Sequence, residues 1–313
     1  MSVSKLILFL FFLAQPLAWS AEAEPAATDD PPMTWMQAVV LGAVEGITEY
    51  LPVSSTGHLI LVQRAMGIGQ TEADNQAADA YSIAIQGGAI LAVLTLYFPY
   101  MRRMFMGVFG KDAYGLKLTI NIAIAFLPAA VIGLLFHEQI KEYLFNLWAI
   151  VFSWFVGGIA ILVVSWWKRE QRGEDAGLQI EDLTWKHALF IGFMQCIAMW
   201  PGTSRSLVTI IGGLLIGMNL TSAVIFSFLL GVITLTAATA YDTITHGALM
   251  LEVFGFANIA IGFGVATVAS VVSVKWLLGY LKKHGLALFG YYRIALAVIV
   301  AILIGAGVLH DQL

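Results

Sequence analysis

Cysteine is almost missing from this chain. The single one, Cys196, excludes an intrachain disulfide, and with no Cys/His cluster there is no framework for a structural zinc. Charge is scarce as well: 12% of the 313 residues are Asp, Glu, Lys or Arg, about half of the ~25% usual in soluble domains. Nor is there any basic excess. The formal net charge of −4 leaves no electrostatic footprint for nucleic acid. What fills the chain instead is apolar, 59% hydrophobic residues at a mean hydropathy of +0.84, the composition of an integral membrane protein whose partner is the lipid bilayer. Nine Trp and ten Tyr suit the aromatic belts at the two interfaces. Cys196, between Gln195 and Ile197, reads as a small packing residue.

The first residues have their own logic. Lys5 precedes the short apolar run LILFLFFLA, and Ala21-Glu22-Ala23 supplies a small-x-small site. Residues 1–23 therefore read as a cleavable secretory signal. Residues 24–34, acidic and Pro-rich, read as a disordered leader.

Beyond the leader the hydrophobic pattern occurs twice. Residues 35–51 are helical and apolar apart from Gln37, Glu45, Thr48 and Glu49, and stop at Pro52; a short apolar helix follows over 59–66. Neither helix has the ~20 residues of a full span, so together they read as a re-entrant hairpin with a polar tip. Three spans follow, at 81–100, 118–136 and 147–167. The second half opens near Trp185 with the same order: an apolar helix to Pro201, a polar break PGTSRS, an apolar helix through Ile216, then spans at 222–241, 254–277 and 291–308. Three spans is an odd number, so the second half lies inverted relative to the first. The expected fold is an all-α polytopic membrane protein built as an inverted repeat, each half one re-entrant helical hairpin plus three transmembrane helices. The halves cover 35–167 and 185–313, joined by a loop at 168–184.

Charge placement supports that topology. Arg102, Arg103, Lys111 and Lys117, then Lys168, Arg169, Arg172 and Lys186, then Lys275, Lys282 and Lys283 fall on one side; the opposite loops hold only Lys141. The positive-inside rule makes the first set cytoplasmic and both mature termini periplasmic. The two hairpins then enter from opposite sides, and their polar tips can meet within the membrane.

Those tips hold the chemistry. Ionised side chains at membrane depth cost roughly 2.5–3.5 kcal/mol each on insertion scales and are functional candidates by default. Glu45 and Glu49 stand four residues apart, on one helical face. Two carboxylates this close in a low dielectric favour protonation of one or recruit a cation between them, and oxygen ligands suit Mg²⁺ or Ca²⁺. Ser54, Ser55 and Thr56 are hydroxyl candidates for nucleophile or substrate contact, with His58 three residues beyond Ser55 as general base or nucleophile. In the second tip Arg205 lies among Gly202, Thr203, Ser204, Ser206 and Thr209. Backbone amides and hydroxyls at a helix N-terminus, with a guanidinium for bidentate contact, suit a phosphate. Gln86, on the first span, either lines the cavity or makes a helix–helix contact. His137, His187, His246, His284 and His310 all fall at span ends, where interfacial histidines need no special role. The combination points to phosphoryl chemistry at a membrane interface.

At these residues the sequence resembles the undecaprenyl-diphosphate phosphatase family, the bacitracin-resistance proteins. EGITEYLPVSSTGHLI matches its first motif and PGTSRS its second, with FSFLL at 226–230 and the pair Tyr292-Arg293 further along. The resemblance implies a hydrolase that converts undecaprenyl diphosphate to the monophosphate, recycling the lipid carrier for peptidoglycan synthesis. It implies a divalent cation, an inner-membrane location, a site opening to the periplasm, and bacitracin as a competitor for the lipid. Glu45 and Glu49 correspond to the acidic pair, Ser55 and His58 to the hydroxyl and imidazole, and Arg205 to the diphosphate clamp, with Ser204, Ser206 and Thr209 as partners. The attacking group is left open between Ser55, His58 and water, and oligomeric state, a homodimer included, is open too.

Two departures stand out. Leu207 and Val208 follow SRS where the family commonly has glycine and alanine, and Gln86 is followed by two glycines where the family usually reads QLG. A rival reading is a transporter or flippase of a phosphorylated lipid, because inverted repeats are transporter architecture. The hydroxyl, imidazole and guanidinium cluster beside two acids argues for the enzyme. The other large class of membrane lipid phosphatases needs a second histidine and an aspartate after its SR pair, and SRSLVTIIGGLLIGM contains neither.

Overall fold

A computed structural model of the chain describes residues 33–68, 72–144, 146–170 and 177–309. The signal-like segment, the leader up to residue 32, Arg172 and His310 lie outside the described residues, as do the side chains of His137, Lys141, Lys168 and Arg169. The described residues are helical, with no β-strand beyond one isolated bridge between Leu178 and Met218.

The first helix, α1 (Trp35–Thr48), starts where Thr34 and Gln37 satisfy each other: Gln37 N–H donates to Thr34 Oγ1, and Thr34 N–H to Gln37 Oε1. Fourteen residues make it about 21 Å long, short of the ~30 Å hydrocarbon core. After the polar turn at Pro52 comes α2 (Ser55–Ala65). Next is the span α3 (Glu72–Leu96), then α4 (Phe98–Val108), α5 (Ala113–Leu144) with Pro128 inside, and α6 (Leu147–Glu170). The second half runs α7 (Trp185–Cys196), α8 (Arg205–Leu215), α9 (Leu220–His284) and α10 (Ala287–Gly305).

Five of these helices are long and apolar enough to cross a membrane, and the protein is a multi-pass all-α membrane protein. Their outward faces expose large apolar side chains such as Leu135, Val163, Phe193, Val268 and Ile302, as a lipid-facing surface does. Several bounds differ from the sequence expectation: α2 begins at Ser55, α3 at Glu72, and α5 runs from Ala113 through the expected loop to Leu144. The first span stops at Leu96 rather than reaching Tyr100, because Pro99 fits only the opening turn of a new helix, α4. The stretch 242–253, expected as a loop, is helical and belongs to α9. It contains no proline, and Thr245 and His246 bond back onto the preceding turn. The break falls at Gly255, with φ 71°. Thr239 and Phe263 both meet α3 around Ile83 and Gly87, so the two arms of α9 fold back on each other there.

The hairpins dock alike. Gly42 and Gly46 of α1 lie against the backbone of Gly262 and Ala266 in the second arm of α9, and Gly192 of α7 lies against Ala125 of α5. A Cβ at any of the three would overlap the facing helix, so small residues set the close approach. That approach brings the two polar turns together.

Candidate active site

Both turns are built by the same local device. Ser54 and Ser204 have φ of 75° and 77°, a region L residues rarely occupy. Each caps the helix it starts: Ser54 Oγ accepts from Gly57 N–H, and Ser204 Oγ from Leu207 N–H. The counterparts Thr34 and Thr184, Gly42 and Gly192, Glu45 and Gln195, and Ser54 and Ser204 are each 150 positions apart. The first residue of each launched helix is the chemically interesting one, Ser55 for α2 and Arg205 for α8.

These two meet at one carboxylate. Glu49, at the end of α1, accepts from Ser55 Oγ through Oε2 at 2.5 Å and from Arg205 Nη2 through Oε1 at 2.9 Å. Arg205 Nη1 donates to Ser227 O at 2.9 Å, and its guanidinium carbon sits 5.6 Å from the centre of the Tyr50 ring. Gly231 leaves the room this side chain occupies. Its Nε is buried without an acceptor among the described residues. Around it, Thr209 Oγ1 pairs with Ser227 Oγ at 2.7 Å, and Ser206 Oγ donates to Leu51 O at 3.0 Å. Ser206 spends its only proton on Leu51, so Ser204 Oγ is the donor in the 3.0 Å contact between the two serines.

Glu45 lies one turn earlier on α1, wholly buried, and neither of its oxygens has a donor among the described residues. A carboxyl group without donors in an apolar interior needs either to carry a proton or to have a cation beside it. Its counterpart Gln195 is equally buried; its Oε1 accepts from Thr234 and its Nε2 has no acceptor among the described residues.

Glu49, Ser54, Ser55, Thr56, Gln86, Gly202, Ser204 and Arg205 all line one cavity of about 130 Å³, closed by Ala198, Pro201 and Leu235. At roughly 30 Å³ per water this holds about four waters, the scale of a phosphate head rather than of a prenyl chain. Glu45, His58, Thr203, Ser206 and Thr209 are not part of its lining; Ser206 and Thr209 brace the groups that are.

His58 has other partners than Ser55. Nδ1 lies 2.6 Å from Ser54 O, which can only accept, so Nδ1 carries the proton; Nε2 then accepts from Tyr292 Oη at 2.7 Å. The two rings are stacked, 6° from parallel. Next to Tyr292, Arg293 is fully buried and donates to Ser153 O at 2.8 Å, Gly202 O at 3.0 Å, and Pro52 O and Trp154 O at 3.4 Å. One guanidinium thus ties both polar turns to α6. Tyr292 and Arg293 were not among the candidate site residues. The signal was an arginine directly before the apolar run 294–305, in the Tyr292-Arg293 pair that carries part of the family resemblance.

Residues 38–299 match the family described as Bacitracin resistance protein BacA. The chain is 42% identical over 269 residues to a protein of Sorangium cellulosum named undecaprenyl-diphosphatase, covering 86% of each chain. It is 41% identical to one of Rhodospirillum rubrum named undecaprenyl-diphosphatase 2, covering 85% of this chain and 93% of that one. A Nitrosospira multiformis protein named undecaprenyl-diphosphatase is 39% identical over 281 residues, 89% of this chain and 99% of its own.

Proposed function

Because the chain belongs to the bacitracin resistance protein BacA family, we propose that it is an integral-membrane phosphatase hydrolysing undecaprenyl diphosphate to undecaprenyl phosphate and inorganic phosphate. The observation that carries this reading is the junction at Glu49, where one buried carboxylate gathers the Ser55 hydroxyl and the Arg205 guanidinium beside a phosphate-sized cavity.

Arg205 and the amides opening α8 hold the diphosphate, and the prenyl chain lies between spans in the bilayer. Glu49 takes the Ser55 proton as Oγ bonds to the terminal phosphorus. The bond from that phosphorus to the bridging oxygen breaks, and undecaprenyl phosphate departs. Water then attacks the phosphoserine, releasing inorganic phosphate and restoring the Ser55 hydroxyl. His58, engaged by Ser54 and Tyr292, supports the turn rather than the proton transfer.

Glu45 and Glu49 fit a divalent cation, Mg²⁺ or Ca²⁺, because Glu45 offers two buried oxygens without donors. When bound, the cation would neutralise phosphate charge. No group of three or more His, Cys, Asp or Glu converges among the described residues, so other ligands fall to substrate and water.

The matched turns and their 150-residue offset support an inverted repeat. The basic residues clustered at Arg102–Lys117 and Lys275–Lys283, at helix ends and the turn between α4 and α5, support a cytoplasmic face there, with the site opening to the periplasm across a bacterial inner membrane. The test is phosphate release from undecaprenyl diphosphate by purified protein in detergent, with and without EDTA, beside Arg205→Ala. Release that needs both the cation and Arg205 is expected. No release from folded wild type across several prenyl diphosphates and metals would overturn the reading.

A further inference from the structure

We propose that α4 and the turn after it form a docking site for the head group of an anionic phospholipid. With eleven residues α4 is about 16 Å long, too short to cross a bilayer. Its inner face is buried through Met104 and Gly107, the latter against the backbone of Gly115 and Leu116 in α5. Its outer face carries Phe98, Arg102 and Phe105 in one row at helical spacing, continued by Phe109 just past the helix end. The three phenylalanines are 62%, 64% and 63% exposed. A row of aromatic rings with a cation among them is the face of a helix lying in the membrane interface.

Beside that row Arg102, Arg103, Met106, Lys111 and Asp112 line a cavity of about 200 Å³. Arg103 is already committed: its Nε donates to Asp112 at 2.9 Å and its guanidinium lies 4.0 Å over the Tyr114 ring. Lys117 donates to Glu181 O at 2.6 Å. Neither Arg102 nor Lys111 has an ion-pair partner among the described residues. Arg102, Arg103, Lys111 and Lys117 against Asp112 and Glu181 leave an excess of two positive charges. A neutral lipid would leave those two cations unmatched, and a soluble anion would make no use of the exposed rings. A phosphodiester carried on acyl chains answers both, its phosphate between Arg102 and Lys111 and its chains along Phe105 and Phe109. The site is separate from the cavity at Glu49.

The experiment is native mass spectrometry of the full chain in a neutral detergent, titrated with phosphatidylglycerol or phosphatidylcholine, for wild type and Arg102→Gln/Lys111→Gln. Wild type should retain phosphatidylglycerol in preference to phosphatidylcholine. At about fivefold for each cation near a lipid surface, the double variant should lose roughly 30-fold in phosphatidylglycerol affinity. Inorganic phosphate at equal concentration should not displace the lipid, and phosphate release from the lipid diphosphate should stay at the wild-type level. Equal retention of the two lipids by wild type overturns the proposal without need of the variant. Unchanged affinity in the variant, or displacement by inorganic phosphate, overturns it too.

Discussion

Glu49 and Arg205 are 156 positions apart, yet they share a 2.9 Å ion pair with side chains only 6% and 10% exposed. One comes from each half of the chain. Removing either partner leaves a buried charge uncompensated, a loss of about 3–5 kcal/mol in comparable pairs. Arg205→Ala should therefore lower the melting temperature as well as reduce phosphate release at least about 100-fold. Glu49→Gln/Arg205→Met should recover much of the stability and none of the activity. Melting curves and phosphate assays on the three proteins separate the two effects.

Ser55 and Glu49 make a second sharp case, since the hydroxyl proton already points at the carboxylate. Ser55→Ala should abolish release, and a rapid quench of wild type should trap phosphate on Ser55. Residual turnover above about a tenth of wild type in Ser55→Ala would mean that water attacks directly.

Chelation tests Glu45 as a cation ligand. EDTA should stop release, with Mg²⁺ or Ca²⁺ restoring it, and Glu45→Gln should need a higher cation concentration for half-maximal rate. A Glu45→Gln variant with the wild-type cation titration would remove this carboxylate from the ligand set.

The strained caps give a stability prediction of the opposite sign. At φ 75° Ser54 sits where only glycine is comfortable. Ser54→Gly should recover part of the roughly 1–3 kcal/mol such a conformation costs, and loses only a few tenths at the cap. The expected outcome is a higher melting temperature with lower phosphate release, because Ser54 lines the cavity. A lower melting temperature would show that the hydroxyl matters more than the strain.

Gly157 faces the guanidinium of Arg293 so closely that an added Cβ would overlap it. Gly157→Ala should destabilise by about 1–3 kcal/mol through overpacking. Arg293→Leu should cost more, since Ser153 O and Gly202 O lose their charged donor. Thermal melts in one detergent rank the two.

Much of this was legible in the residues. Pro52 and Pro201 marked the breaks, the charges within apolar sequence marked the tips, and the spans at 118–136 and 147–167 lie within α5 and α6. Less visible was anything set by packing alone. Hydropathy could not show that α9 runs on to Gly255, because a polar stretch such as 242–253 suits a helix end and a loop equally. Nor could Ser-x-x-His spacing reveal that His58 turns to Tyr292, a partner 234 positions away. Arg293 was visible as a charge beside apolar sequence, but its partners were not: its acceptors are backbone carbonyls, which any residue supplies and no motif records.

The place of Arg293 in the chain also bears on when the protein becomes itself. It belongs to α10, the last described helix, and its guanidinium donates to the carbonyls of Pro52 and Gly202 as well as to Ser153 O of α6. During synthesis both polar turns are already in the membrane while this bolt is still to be made. Until α10 inserts, Ser153 and Trp200 can already hold the second turn to α6, and Glu49 and Arg205 can join the two turns, but Pro52 O and Gly202 O still await the donor they share.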